Sequence, residues 1–218
     1  MSGLYRIGVL ISGRGSNFKA IAENIKAGYI RNAEIVVVIS NRSNAGGLDI
    51  ARSFGIEALF VDPEGLSRQR YDEQLIKILK QYEVNLVVLA GFMRILTPSF
   101  IEAFRDRIVN IHPALLPSFK GLHAQRQALQ AGVRFAGATV HFVTEEMDSG
   151  PIIVQSVVPV LCGDTEETLS KRILRTEHKI YPYAIKLITE GKLRIENGRV
   201  IYDSEELPDE FFAINPTP

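Results

Sequence analysis

Short apolar runs alternate with amphipathic stretches along most of this chain, and that alternation restricts the fold more than any other feature. Residues 5–11, 34–39, 58–61, 85–90 and 108–111 are runs rich in Val, Ile and Leu, of a length that suits buried strands. Between them, residues 17–27, 44–54, 67–82 and 98–104 carry apolar side chains at helical spacing. Phe18, Ile21, Ala22 and Ile25 form one stripe; Tyr71, Leu75, Ile78 and Leu79 form another. Apolar strands alternating with helices are what a parallel sheet needs when both its faces are covered. The expected class is α/β, a mostly parallel Rossmann-like sheet with helices on both faces.

The pattern changes in the C-terminal part. Residues 122–131 read as a helix, and residues 138–143 and 152–160 read as successive, antiparallel strands. Residues 165–190 form a long helical stretch that Pro182 should kink or break, because proline lacks the amide donor and crowds the preceding turn. Residues 193–195 and 200–202 flank Asn197-Gly198 and resemble a hairpin. Residues 1–204 are expected to form one domain. Residues 205–218, with three prolines, are expected to be a flexible tail.

Composition narrows the partners. The chain has 25 Lys and Arg against 25 Asp and Glu, so no broad charge field favours a nucleic acid or a membrane surface. No apolar stretch reaches the length of a membrane span, and the first apolar run leads into a Gly-rich turn rather than a cleavage site. A single cysteine, Cys162, excludes an intramolecular disulfide and fits a reducing, cytoplasmic location; it reads as a small semi-buried thiol.

Two segments carry chemistry. The first strand runs into Ser12-Gly13-Arg14-Gly15-Ser16-Asn17 and then a helix. Glycines bring backbone amides close to a ligand, and the helix start adds free N–H groups and positive dipole. The dinucleotide fingerprint fails, since Phe18 stands at its third glycine and no acid follows the second strand. A mononucleotide or sugar phosphate remains open, beside a plain strand–helix turn capped by Ser16 or Asn17. The second segment is Asn110-Ile111-His112-Pro113 at the end of the fifth strand. Residues two apart share a face, so an amide and an imidazole stand together, a pairing suited to an oxyanion and a proton. Downstream, the acidic loop at residues 144–151 ends in Gly150-Pro151, and one of its carboxylates, Glu145, Glu146 or Asp148, could fold over the site and favour imidazolium. Taken blind, a strand-end histidine and an acidic turn are also ordinary structural features.

Together these residues resemble the folate-dependent formyltransferases. The resemblance rests on Asn110-x-His112, Leu115-Leu116-Pro117 and Asp148-x-Gly150. It also rests on Gly15-Ser16-Asn17, Ala90-Gly91-Phe92-Met93-Arg94-Ile95-Leu96 and Gly121-Leu122-His123. It covers roughly residues 5–200 and is strongest for the branch acting on glycinamide ribonucleotide in purine synthesis. It implies formyl transfer from 10-formyltetrahydrofolate, as cosubstrate, to the amine of 5-phosphoribosyl-glycinamide, without a metal. It implies Asn110, His112 and Asp148 as the catalytic trio. Gly15, Ser16, Asn17 and Glu177 are implied on the ribonucleotide. Arg68, Met93, Arg94, Ile95, Leu96, Asn110, Thr144, Glu145, Glu146, Met147 and Asp148 are implied on the folate. Without the resemblance, Met93, Ile95 and Leu96 would read as core, and Arg68 and Glu177 as solvated. Ala114 and Gln125 depart from the commonest pattern, where Ser and His stand, but neither belongs to the trio.

Three other readings compete. Methionyl-tRNA formyltransferases share the core but add a C-terminal tRNA domain, for which neutral charge gives no support. Formyltetrahydrofolate deformylases add an N-terminal domain, and here the first strand begins at Tyr5. A non-catalytic nucleotide-binding module would need the first loop but not the trio. The expected partners are small molecules, with no nucleic acid and no membrane, on a monomer or a homodimer.

Overall fold

The computed structural model describes residues 4–203. Strand and helix alternate through β1 (Tyr5–Ile11), α1 (Ser16–Lys26), β2 (Ala33–Ser40), α2 (Gly46–Ser53), β3 (Ala58–Phe60), α3 (Arg68–Gln81), β4 (Leu86–Leu89), α4 (Pro98–Ala103) and β5 (Ile108–His112). Then come α5 (Ala124–Gln130), β6 (Phe135–Phe142), β7 (Ile152–Pro159), α6 (Glu166–Thr189), β8 (Leu193–Glu196) and β9 (Arg199–Tyr202). Strands β1 to β7 form one seven-stranded sheet in the order β3-β2-β1-β4-β5-β6-β7. The pairs among β1 to β5 are parallel, whereas β5–β6 and β6–β7 are antiparallel, as the sequence pattern indicated.

Both sheet faces are buried. One core joins Ile7, Val9, Ile11, Val88 and Val109 to Phe18 and Ile21 of α1 and Ile173, Ile180 and Tyr181 of α6. The other joins Leu10, Val37, Val87 and Leu89 to Tyr71, Leu75 and Leu79 of α3 and Phe100 of α4. Strand β1 sits mid-sheet. The chain first builds outward to β2 and β3, then crosses to β4 and β5. The topological switch therefore lies between β1 and β4, and the carboxyl edge there opens a crevice. Ser12 N donates to Gly91 O at 3.1 Å, so the loops after β1 and β4 meet at that edge.

Four details differ from the expectations. Pro182 does not break α6, which continues as one helix from Glu166 to Thr189. Pro182 and its neighbours Ile180, Tyr181, Tyr183, Ala184 and Ile185 are all buried, so packing overrides the local defect. Cys162 is exposed rather than semi-buried. It tips a turn held below by Asp164, which accepts from Leu161 N at 2.7 Å and pairs with Arg172 at 2.6 Å. Helix α5 starts at Ala124, because His123 has φ 57° and cannot belong to it. Strand β6 starts earlier than expected, at Phe135. The β8–β9 hairpin is present: Asn197 and Gly198 have φ 51° and 73°, the positive values its two-residue turn requires. The expected tail, residues 205–218, lies outside the described residues.

The first loop is fixed by close backbone packing. Gly15 has φ 75°, and a methyl group there would lie 2.6 Å from the Gly47 Cα at the start of α2. Gly15→Ala is therefore expected to cost about 1–3 kcal/mol, from backbone strain and overpacking, and to lower the melting temperature. A variant melting with the parent would show that the loop has room to move.

Candidate active site

Asn110 and His112 project from the same face of β5, and β6 faces them in antiparallel register. Asn110 pairs with His141 and His112 with Thr139. Asn110 Nδ2 lies 3.3 Å from His141 Nε2. The His141 Nδ1 lies 2.9 Å from Phe142 O, which can only accept, so Nδ1 carries the proton. In the neutral ring Nε2 is then the acceptor, and one Asn110 amide hydrogen points to it. The other amide hydrogen stays available. Burial holds the His141 pKa below the ordinary imidazole range, ahead of the opposing Phe142 hydrogen bond and the Asp148 charge.

His112 is 5% exposed. Its Nε2 lies 2.9 Å from Phe119 O, and its Nδ1 lies 3.5 Å from Asp148 Oδ2. Both ring nitrogens thus face acceptors, and only the imidazolium has a proton for each. Asp148 also approaches His141, with 3.9 Å between Oδ1 and Nε2. One carboxylate therefore stands over both rings. Its own backbone has φ 51°, and its Oδ2 accepts from Gly121 N at 2.9 Å.

The segment at residues 119–121 straps this arrangement together. Phe119 O takes His112, Gly121 N holds Asp148, and Lys120 Nζ reaches Glu146 at 3.2 Å and also Ser149 Oγ. The Ser149 and Lys120 bonds pull the Glu146 pKa down. Thr139 pins the exit from β5: its Oγ1 donates to Ala114 O at 2.6 Å and accepts from Leu116 N at 3.1 Å.

At the switch point the first loop presents a bare helix end. Gly15, not Ser16 or Asn17, is the N-cap of α1; no side chain caps it, and the first turn holds no acid. The first amides of such a helix have no internal acceptor and carry the positive dipole end. Asn17 instead donates from Nδ2 to Glu177 Oε2 of α6 at 2.6 Å. Asn17 Oδ1 is buried without a hydrogen-bond partner among the described residues. Burial raises the Glu177 pKa, and the Asn17 bond offsets part of that rise.

The loop after β4 supplies an apolar wall. Met93 and Ile95 are 64% and 61% exposed, whereas Leu96 is 7% exposed and anchors the segment in the second core. Arg94 does not face outward freely; its guanidinium stacks 4.4 Å above the Tyr71 ring. Ser12 Oγ accepts from Met93 N at 2.8 Å and donates to Asn41 Oδ1 at 2.6 Å, tying the wall to the first loop. Thr144, Glu145, Glu146 and Met147 are exposed on the acidic loop. Arg68 is exposed as the first residue of α3. Among the described residues, no group of three or more His, Cys, Asp or Glu side chains is placed to hold a metal ion. None of their helices is long and apolar enough to cross a membrane.

Residues 5–185 match the family model described as formyl transferase. The chain belongs to the formyl transferase family. It is 43% identical to Escherichia coli phosphoribosylglycinamide formyltransferase over 206 residues, covering 94% of this chain and 97% of that protein. It is also 43% identical to the human trifunctional purine biosynthetic protein adenosine-3, but spans only 20% of that longer protein. The solved glycinamide ribonucleotide transformylase 1 of Symbiobacterium toebii superposes with a TM-score of 0.90 at 52% identity, covering 93% of this chain and 95% of that one. A Pseudomonas syringae formyltetrahydrofolate deformylase superposes with 0.86 at 25% identity, over 92% of this chain and 66% of that one.

One residue of this cluster is not marked by the sequence. His141 touches both Asn110 and Asp148, yet nothing in its spacing from them marks it. The available signal was a lone histidine inside the apolar strand 138–143. Its lowered pKa has a checkable consequence. In an NMR titration, the His141 ring is expected to protonate below the range of a free imidazole, because burial penalises the charged form. Below the unfolded imidazole pKa the unfolded chain binds this proton first, so the His141 contribution weakens stability as pH falls toward the folded value. Titration at or above the free value would contradict the hydrogen-bond assignment.

Proposed function

We propose that this chain transfers the formyl group of 10-formyltetrahydrofolate to the amine of 5-phosphoribosyl-glycinamide, a step of purine synthesis. One observation carries the reading. Asn110, His112 and Asp148 are brought together through His141 at the carboxyl edge of the sheet, the edge where the bare start of α1 and the exposed Met93 and Ile95 are joined through Ser12. The family match and the names of its relatives agree with it.

In this reading the backbone amides of Gly15, Ser16 and Asn17 take the phosphate, and Asn17 and Glu177 take the ribose end. Met93 and Ile95 pack on the pterin, with Arg94 and Leu96 holding the wall. Thr144, Glu145, Glu146, Met147 and Asp148 close the other side, and Arg68 meets the folate carboxylate tail. The substrate amine attacks the formyl carbon, and a C–N bond forms as the carbonyl oxygen becomes an oxyanion. The free Asn110 Nδ2 hydrogen donates to that oxygen, and a His112 N–H joins it by exchanging its resting acceptor, Phe119 O or Asp148, for the oxyanion. Collapse breaks the bond to the folate N10, which leaves as its electron pair takes a proton. The product nitrogen loses one, and Asp148 with His112 manages this exchange.

The experiment follows folate absorbance with the purified protein. Tetrahydrofolate is expected to form only when glycinamide ribonucleotide is present. Equal turnover with water alone would favour a deformylase, and no turnover with either would favour a binding module. Asn110→Ala is expected to slow transfer about 100- to 1000-fold while ribonucleotide binding, measured by calorimetry, stays intact. A loss confined to binding would move Asn110 out of the catalytic role.

A further inference from the structure

Tyr181 is fully buried and lies one turn beyond Glu177 on the same side of α6. Its hydroxyl is 2.9 Å from Leu89 O and 3.1 Å from Val109 O. A hydroxyl has one proton, so these two carbonyls share a single donor. Burial, reinforced by the Glu177 charge, drives the Tyr181 pKa well above its ordinary value, which keeps that proton in place.

The two carbonyls lie at a divide. Leu89 is the last residue of β4, and Val109 immediately precedes Asn110. The β4–β5 pairing ends at Leu89 and Asn110. Beyond it, one chain leaves to build the wall at residues 91–96, and the other continues to His112. The Tyr181 hydroxyl bridges the strands where the ladder stops. Through α6 the same residue is tied to Glu177, which Asn17 holds at 2.6 Å. The phenol therefore bonds the strand end that leads into the wall and the carbonyl that precedes Asn110, and α6 links it through Glu177 to the first loop.

We propose that Tyr181 is a positioning residue, whose hydroxyl sets the separation of β4 and β5 and thereby the placement of Asn110 against the wall and the Glu177 end of α6. The kinetic part of this inference rests on the proposed formyl transfer. Removing the hydroxyl leaves two buried carbonyls without that donor and lets the strand ends shift, while the ring still fills its space.

The test compares Tyr181→Phe with the parent and with Ile173→Val, a core substitution on α6 remote from the strand ends. Thermal melting, the Asn110 backbone amide resonance, kcat and both KM values are measured. Tyr181→Phe is expected to shift the Asn110 amide resonance and lower kcat about 5- to 10-fold, with each KM changed less than about twofold. Ile173→Val is expected to lower the melting temperature and leave kcat and the resonance in place. A Tyr181→Phe variant with parental kcat and an unmoved Asn110 resonance would reduce Tyr181 to a packing role. So would a kcat loss no larger than that of Ile173→Val. If the parent itself transfers no formyl group, the proposed function fails, and the Asn110 resonance alone decides the placement of Tyr181.

Discussion

The register between β5 and β6 is the constraint on which the crevice depends. It sets Asn110 opposite His141 and His112 opposite Thr139. A slip of one residue would turn His141 and Thr139 to the other face, leaving Asn110 without its acceptor and the β5 exit without its pin. Close packing holds β6 from its other side. A methyl group on Gly137 would lie 1.8 Å from Ser156 O of β7, and one on Gly150 would lie 1.8 Å from Phe142 O. The second contact folds the end of the acidic loop back onto β6, which brings Asp148 above the two histidines. Gln155 of β7 adds a donor to both Leu116 O and Thr139 Oγ1, each at 2.9 Å.

Charge in this molecule is organised locally. The 25 cationic and 25 anionic side chains cancel in sum, so no surface field recruits a ligand from afar. The crevice instead offers a helix end for one anion and a carboxylate set over two rings. His141 and Glu177 illustrate how burial tunes it: the imidazole is held toward neutrality, and so is the carboxyl, each with a side-chain amide among its partners. A neutral His141 is what orients Asn110, because its Nε2 can accept the Asn110 amide hydrogen, which an imidazolium could not.

Much of this was legible in the sequence. The alternation of runs gave the parallel sheet because continuous apolar strands have few other uses. The two-residue spacing placed Asn110 and His112 on one face. Asp148 lies far along the chain, so its position above His112 followed only from the resemblance, and His141 was missed because cross-strand register is not written in local spacing. The break expected at Pro182 does not occur, since a helix propensity rule knows nothing of the packing around Tyr181. Met93 and Ile95 looked like core by type, yet they are exposed; only Leu96 of that run is buried. Apolar residues in a loop take their burial from where the loop goes, which here is over the crevice.

If Asn110 and Asp148 act as one unit through the shared His141, their contributions cannot be independent. A double-mutant cycle of Asn110→Ala and Asp148→Asn, read in kcat for formyl transfer, tests this most directly. The double variant is expected to be little slower than the slower single variant, as for groups that work together. Rate losses that multiply would contradict it and separate the two side chains into independent roles.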